Sequence, residues 1–373
     1  MIKINQIEPL IQQVDIDAVN DYMQSDGWIT EHTKTKELES ILAEYLCVKH
    51  CIMTTSGTSA LLLAFNYLKN KLTSNSPNGV IVPDYTMIAS ANAPKYLGFD
   101  ITLCNTCLTT VPSFTDIINA VTKETAAIVY PTLNGRTGDI KRVTKFCKER
   151  SIFLVEDACQ SLGSQSNGKM LGTFGNVGCF SLSPHKIITT GQGGFIVTDS
   201  DEINKSIRRL KNFGRYEEGT DNFYCLGINH KYTDLQASLG ISQMKSIDYR
   251  INKKRLIYNT YYKSLKYTDN VHVIYRNKKS VAWFVDVIFD KNIDVYKLHK
   301  NLNQRGIGTR KFYPPLHTQP PYNTDNNLDR FSKNTASFLS NQGLYLPSSL
   351  NLSAQNIEMI CDTIKEEIIN CKR

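Results

Sequence analysis

The chain contains 373 residues, of which 41% are hydrophobic and 21% are charged. This composition excludes an extended disordered chain, and the length predicts about two or three domains at roughly 100–200 residues each. Lysine and arginine (43 residues) exceed aspartate and glutamate (35) by eight, which suits an anionic partner. The charge alone does not choose between nucleic acid, a membrane surface and a phosphorylated metabolite, although no long basic tail is visible.

The distribution of apolar residues and cysteines limits the compartment and the metal chemistry. Polar side chains interrupt residues 1–8, and no stretch reaches the ~18 apolar residues of a membrane helix, so we expect a cytoplasmic protein. Cys104 and Cys107 have CxxC spacing, but no second pair follows at zinc-ribbon distance. We therefore predict free thiols that pack as small hydrophobes, and no metal site.

Between about residues 50 and 200, short apolar runs alternate with helical patterns. Strands that alternate with helices predict a largely parallel sheet with helices on both faces. In such sheets the ligand lies beyond the carboxyl ends of the strands. The predicted strands are 80–82, 126–130, 152–155 and 195–198, and the predicted helices are 59–70 and 140–149.

The pattern changes beyond about residue 245 and indicates a smaller α+β domain. A basic helical stretch is followed by two strand-like runs, a proline-rich turn and a final helix. We therefore expect a large domain at 1–245 and a small domain at 246–373. The predicted elements are a helix at 253–265, strands at 271–275 and 282–289, and a helix at 353–370.

The first segment with chemical potential is residues 54–61, where a strand ends and a helix begins. The small residues there, with Gly57 and Thr58 at the turn, leave backbone N–H groups free, and the helix dipole favours a bound anion. This pattern is typical of a phosphate cradle. The alternative is an ordinary helix N-cap formed by serine or threonine.

A second segment, residues 152–160, is a strand that ends in Glu156 and Asp157. An acid at the carboxyl end of a buried parallel strand lies in the ligand crevice, where it can hold a protonated group. The alternative is an aspartate that caps a helix or forms a salt bridge.

A third segment, residues 179–199, places Lys186 between two apolar, strand-like stretches. A lysine kept from water loses proton affinity and becomes a nucleophile that can form a Schiff base. The glycines of Gly191-Gln192-Gly193-Gly194 allow the backbone to turn closely around a planar ligand. The alternative is a surface charge beside a glycine-rich turn. A phosphate cradle, an acid for a ring nitrogen and a Schiff-base lysine, in that order, are the parts that hold pyridoxal phosphate.

The order of these motifs resembles the DegT/DnrJ/StrS family of pyridoxal-phosphate-dependent sugar aminotransferases over almost the whole chain. The resemblance implies an α/β fold, the aspartate-aminotransferase-like fold type I, with a mainly parallel central sheet in a large domain and a small α+β C-terminal domain. The segments that carry it are Gly27-Trp28-Ile29-Thr30, Ser56-Gly57-Thr58-Ser59-Ala60-Leu61, Val155-Glu156-Asp157-Ala158-Cys159-Gln160, Phe180-Ser181 with Lys186, Gly191-Gln192-Gly193-Gly194, Gly227-Ile228-Asn229 and Tyr313-Pro314-Pro315-Leu316-His317.

The resemblance also implies a role for each matching residue. Lys186 is the catalytic lysine that forms the Schiff base, Asp157 faces the pyridine nitrogen and Gln160 lies near the ring hydroxyl. Asn229 matches an asparagine that reaches the phosphate from a neighbouring subunit, which implies a homodimer with shared sites. The remaining expected cofactor contacts are Gly57, Thr58, Ser181 and Met87, and the candidate substrate contacts are Trp28, His185, Tyr313 and His317.

The activity that follows from the resemblance is amino transfer from an amino acid, expected to be L-glutamate, to a nucleotide-linked keto-deoxy sugar. A 4-keto-6-deoxyhexose is the expected acceptor, and the product an amino sugar for surface polysaccharide; neither nucleic acid nor a membrane is an expected partner. Alternatives are a pyridoxal-phosphate-dependent sugar dehydratase, a transaminase of a free keto sugar and a non-catalytic regulatory homologue. Met87, Gln192 and Lys231 depart from the usual family pattern and bear on sugar specificity.

Overall fold

The computed structural model describes residues 3–217, 219–323 and 334–373. Its main feature is a seven-stranded sheet in the order β1-β9-β8-β5-β4-β2-β3. The sheet is parallel except for β9, which runs antiparallel to both of its neighbours. The strands are β1 (His50–Thr54), β2 (Gly79–Pro83), β3 (Asp100–Cys104), β4 (Thr125–Pro131), β5 (Phe153–Asp157), β6 (Gln165–Ser166), β7 (Lys169–Met170), β8 (Val177–Ser181), β9 (Gly194–Thr198), β10 (Val271–Val273), β11 (Val285–Phe289), β12 (Arg310–Lys311) and β13 (Gly343–Leu346).

Helices cover the sheet because their apolar residues recur on one face. In the helix 201–210, for example, Ile203, Ile207 and Leu210 are buried, and Ser200 caps the first turn by accepting the N–H of Ile203. The helices are α1 (Gln13–Gln24), α2 (Thr33–Leu46), α3 (Gly57–Lys69), α4 (Ala89–Tyr96), α5 (Phe114–Ile118), α6 (Ile140–Arg150), α7 (Asp201–Leu210), α8 (Asp234–Met244), α9 (Ile247–Leu265), α10 (Val295–Gln304), α11 (Thr335–Gln342) and α12 (Ala354–Asn370).

A second sheet, in the order β10-β11-β13-β12, is antiparallel and packs against α9, α10 and α12. The N-terminal segment joins this part of the molecule, since Ile4 exchanges backbone hydrogen bonds with Gly306 and Gly308 (2.8 and 2.7 Å). Ile4 also lies in the same apolar cluster as the second sheet. The division of the chain into 1–245 and 246–373 stays a prediction.

The predicted strands of the large sheet agree with β2, β4, β5 and β9 to within two residues, whereas β3 was not predicted. The C-terminal strand predicted at 282–289 begins at Val285 instead. The reason lies in the residues before it: the N–H of Phe284 donates to the side chain of Asn134, and the carbonyl of Trp283 accepts from Lys254. Side chains therefore take the hydrogen bonds that a strand would need.

The topology brings the ends of several elements to one edge of the large sheet. The strands β1, β2, β5 and β8 end at this edge, and β9 starts there because it runs in the opposite direction. The loops that follow β2, β5 and β8 and the start of α3 are therefore neighbours in space. This is the edge where open α/β sheets bind ligands.

Within residues 3–217, 219–323 and 334–373, no helix is long and apolar enough to cross a membrane. The same ranges hold no group of three or more His, Cys, Asp or Glu side chains arranged for a metal ion. All ten cysteines are free thiols, and six of them are buried, as expected for small hydrophobes.

A buried ionic cluster connects the large sheet to the second sheet. Asp286, on β11, accepts hydrogen bonds from Arg136 (2.6 and 2.7 Å), Arg276 (2.8 Å) and Asn134 (2.6 Å). Both guanidinium groups and the carboxylate are buried, so each charge depends on the others for its solvation.

Replacing Asp286→Asn should destabilise the fold, because it leaves two buried guanidinium groups without a carboxylate. We expect a loss of about 3–5 kcal/mol in the free energy of unfolding, measured by urea denaturation. The matched control is Asp290→Asn, since Asp290 is half exposed and forms an ion pair with an exposed histidine. Equal urea midpoints for the two variants would contradict the importance of the buried cluster.

Candidate active site

A cavity of about 510 Å³ lies at the carboxyl edge of the large sheet. Two larger clefts, of about 840 and 610 Å³, lie at the opposite edge, against the starts of β4 and β5 and the end of β9. The carboxyl-edge cavity is where the predicted chemical groups meet. Its lining includes Gly57, Thr58, Met87, Asp157, Cys159, Gln160, Ser181, His185, Lys186, Trp283, Arg310 and Tyr313.

The start of α3 forms one wall of the cavity. Ser56 caps the helix by accepting the N–H of Ser59 (3.0 Å), while Gly57 and Thr58 supply the first N–H groups, which have no acceptor within the helix. Gly57 is packed so closely that a Cβ there would lie 2.8 Å from the sulfur of Cys159 and 2.9 Å from Cβ of Ser181. A side chain at this position would therefore clash with Cys159 and Ser181.

Asp157 ends β5 and faces the cavity. Its carboxylate accepts hydrogen bonds from the hydroxyl of Ser90 (2.6 Å) and the N–H of Cys159 (3.2 Å). The neighbouring Glu156 points to the other face of the sheet, where it accepts the N–H of Phe174. Burial raises the pKa of Glu156 to about 7. Of the two predicted acids, Asp157 alone belongs to the cavity.

Lys186 follows β8 and projects into the cavity. Its Nζ lies 3.5 Å from the centre of the Trp283 ring, within cation–π distance. The pKa of Lys186 is lowered from 10.5 to about 8, mainly by burial and also by the charge of Arg310, although Cys159 and Asp157 act in the opposite direction. A substantial fraction of this amine is therefore neutral near physiological pH, as a nucleophile requires.

His185 shares the Trp283 contact. The imidazole stacks on the indole with ring centres 5.6 Å apart and planes 19° apart, and the indole N–H donates to the His185 carbonyl (2.7 Å). Burial, together with the charge of Lys186, lowers the pKa of His185 to about 4. The imidazole is therefore uncharged at neutral pH.

Gln160 is held between two partners at the cavity wall. Its side-chain oxygen accepts the N–H of Asn134 (2.9 Å), and its amide nitrogen donates to the hydroxyl of Tyr313 (3.4 Å). Burial raises the pKa of Tyr313 to about 12, so this hydroxyl stays protonated. Met87 forms another part of the wall, with 43% of its surface exposed.

The structure does not bring Trp28, Asn229 and His317 to this cavity. Trp28 is 66% exposed and its indole N–H donates to Thr30. Asn229 lies on an exposed segment, where its side chain accepts the N–H of Lys231 (3.2 Å). His317 is buried against Asp84 (2.7 Å), so its position is explained by packing of the proline-rich turn.

Sequence reasoning missed three residues that line or support the cavity. Ser90 lies within α4 and carries no recognisable motif, and Trp283 fell inside a predicted strand. Arg310 is a single basic residue ahead of the proline-rich turn. Its position three residues before Tyr313, a candidate substrate contact, is the signal that could have indicated a role.

The residues of the cavity fit pyridoxal phosphate. The start of α3 presents free N–H groups of Gly57 and Thr58 at the cavity wall for the phosphate, and Ser181 lies directly against Gly57. Across the cavity lie a carboxylate for a protonated ring nitrogen, Asp157, and an amine of lowered pKa, Lys186.

The sequence model of the DegT/DnrJ/EryC1/StrS aminotransferase family matches residues 9–365. The chain belongs to this family. Pyridoxal phosphate is the family's cofactor, in agreement with the donor groups of the cavity. A GDP-perosamine synthase of Vibrio cholerae is 31% identical over 373 residues, which cover 98% of each chain.

Solved structures confirm fold type I for this member of the DegT/DnrJ/EryC1/StrS family. The Helicobacter pylori aminotransferase PseC, involved in pseudoaminic acid biosynthesis, superposes with a TM-score of 0.91 at 22% identity, covering 99% of this chain and 100% of its own. An Escherichia coli GDP-4-keto-6-deoxy-D-mannose-3-dehydratase with bound hydrated pyridoxal phosphate superposes with a TM-score of 0.87 at 23% identity, covering 98% and 100%.

The lowered pKa of Lys186 predicts how the apoprotein captures its cofactor. The reaction rate with pyridoxal phosphate should rise about tenfold per pH unit below pH 8 and level off above it, because only the neutral amine attacks. Stopped-flow absorbance measures this rate, and Lys186→Ala, which should lack the phase, assigns it. A rate that keeps rising to pH 10 would mean that the amine has its ordinary pKa.

Proposed function

We propose that this protein transfers the amino group of an amino acid, L-glutamate, to the keto carbon of a nucleotide-linked 4-keto-6-deoxyhexose. The observation that carries the proposal is the amine of Lys186, which has a lowered pKa and lines one cavity with Asp157 and the start of α3. The family supports amino transfer, and relatives named GDP-perosamine synthase support a nucleotide sugar as acceptor.

A sugar dehydratase is the second candidate, because one of the similar structures has that activity. The position of the side chains favours amino transfer. Lys186 offers the cavity an amine of lowered pKa, the nucleophile and proton carrier that amino transfer requires. A transaminase of a free keto sugar and a non-catalytic homologue remain outcomes of the experiments below.

When bound, pyridoxal phosphate supplies an electron sink for the carbon that loses or gains a proton. We assign the phosphate to the N–H groups of Gly57 and Thr58 and to Ser181. Asp157, fixed by Ser90 and by the N–H of Cys159, would keep the pyridine nitrogen of the bound cofactor protonated. Gln160 would contact the cofactor's hydroxyl, and Met87 would pack against its ring, as a polarizable thioether can.

Lys186 performs the proton transfer in this proposal. Its amine lines the cavity, and a pKa of about 8 lets it both accept and release a proton near neutral pH. Trp283 supports the lysine through its ring, which lies 3.5 Å from Nζ. His185 and Tyr313, uncharged side chains that line the cavity, are proposed substrate contacts.

We also propose that two copies form a homodimer with shared sites. Several large apolar side chains are exposed on the segment just before Asn229, including Leu226 with 90% of its surface accessible. A second copy of the chain would cover them, and Asn229 would then reach the partner's phosphate site. The exposed apolar residues are Phe213, Tyr216, Phe223, Tyr224, Leu226 and Ile228.

The product of such an enzyme is an amino sugar attached to a nucleotide. Its use in a surface polysaccharide such as O-antigen, and a cytoplasmic location, follow from the proposal. A nucleotide sugar and an amino-acid donor would be its partners, with neither nucleic acid nor a membrane required.

Replacing Lys186→Ala should reduce release of 2-oxoglutarate from glutamate and the keto sugar by at least about a thousandfold, since it removes the nucleophile and the proton carrier together. A coupled assay for 2-oxoglutarate measures the loss. Lys245→Ala is the matched control, because Lys245 is an exposed lysine directly after α8 and does not line the cavity. Full turnover by the Lys186→Ala variant would contradict the proposal.

The shared sites can be tested by mixing inactive proteins. Lys186→Ala and Asn229→Ala should each be impaired, while a heterodimer of the two contains one complete site. After random exchange we expect about a quarter of wild-type activity. Asn222→Ala, on the same exposed segment, is the control and should retain activity. No recovery in a mixture whose heterodimers are detected by native mass spectrometry would contradict the sharing of Asn229.

A further inference from the structure

Arg310 is the arginine among the described residues that line the cavity. It lies on β12, a two-residue strand that pairs with β13, and its side chain is exposed to the cavity rather than packed in the core. The centre of its guanidinium lies 5.4 Å from the ring of Tyr313, which supports one side of the group.

Among the described residues, no acidic side chain pairs with the charge of Arg310. Within residues 3–217, 219–323 and 334–373, no aspartate or glutamate lies within ion-pair distance of it, unlike Arg136 and Arg276, which share Asp286. The other charged groups of the cavity lining are Asp157, already engaged by two donors, and the amine of Lys186. Arg310 therefore offers a guanidinium to an anion that comes with a substrate.

The position of Arg310 indicates which anion that is. Its charge is close enough to lower the pKa of both Lys186 and His185. In an amino-acid donor, the α-carboxylate is one bond from the carbon that must reach Lys186. In a nucleotide sugar, the whole sugar ring separates the diphosphate from a keto carbon distant from the anomeric position. A group beside Lys186 is better placed for the carboxylate.

We propose that Arg310 binds the α-carboxylate of the amino-acid donor, with Tyr313 supporting its guanidinium. The proposal deepens the function given above and rests on it. A guanidinium matches a carboxylate through two parallel N–H···O bonds, which fixes the orientation of the donor as well as holding it. Arg310 thereby makes the site selective for α-amino acids over simple amines.

Binding of glutarate to the holoenzyme tests this proposal without turnover, since glutarate carries carboxylates but no amine. Arg310→Gln should weaken glutarate binding, measured by calorimetry, by at least about tenfold, the effect of losing a hydrogen bond to a charged group. It should also raise the KM for glutamate more than it lowers kcat, and Arg310→Lys should recover part of the affinity. Lys311→Gln removes the same charge from the next residue, which does not line the cavity, and should bind glutarate as the wild type does.

A nucleoside diphosphate provides the second arm of the experiment. If Arg310→Gln weakens binding of GDP, UDP or dTDP and leaves glutarate unchanged, the anion is the diphosphate and the proposal is overturned. Unchanged glutarate binding with normal wild-type turnover overturns the proposal alone. If glutarate binding depends on Arg310 but the wild type makes no 2-oxoglutarate with any keto sugar, the carboxylate site stands and the sugar aminotransferase function fails.

Discussion

The removal of Lys186 from water is the constraint on which the active site depends. An ammonium group loses proton affinity when it is enclosed, because burial disfavours its charged form. Other interactions in the fold hold the lysine in this unfavourable environment. The indole of Trp283 contacts the amine on one side, while Asp157 and Cys159 partly restore its affinity for the proton. As a result, the pKa of the amine lies close to neutral pH.

The supports of this amine extend into the second sheet. Lys254, on α9, donates to the carbonyls of Trp283 and Ser348 (2.9 and 2.5 Å), and burial lowers its pKa to about 7. Asn134 connects Gln160 to the carboxylate of Asp286. The cavity is therefore built by one sheet and fixed in shape by contacts with the other.

The motif-bearing parts of the fold and site could be predicted from the sequence because their information is local. The apolar runs of β2, β4, β5 and β9 indicate strands, and Asp157 and Gln160 lie at and just after the carboxyl end of β5, while Lys186 lies between β8 and β9. Ser90, Trp283 and Arg310 could not be predicted in the same way. They reach the cavity through contacts between segments 60 or more residues apart, such as the hydrogen bond of Ser90 to Asp157 (67 residues apart) and that of Trp283 to His185 (98 residues apart).

The central claim is that nitrogen passes from an amino acid to a keto sugar. The most direct measurement incubates the holoenzyme with glutamate carrying an isotopically labelled amino group and, in turn, GDP-, UDP- and dTDP-linked 4-keto-6-deoxyhexoses, with the products analysed by mass spectrometry. We predict that one sugar gains the labelled nitrogen as an amine. A product that has lost a hydroxyl group and contains no added nitrogen would contradict amino transfer and identify a dehydratase instead.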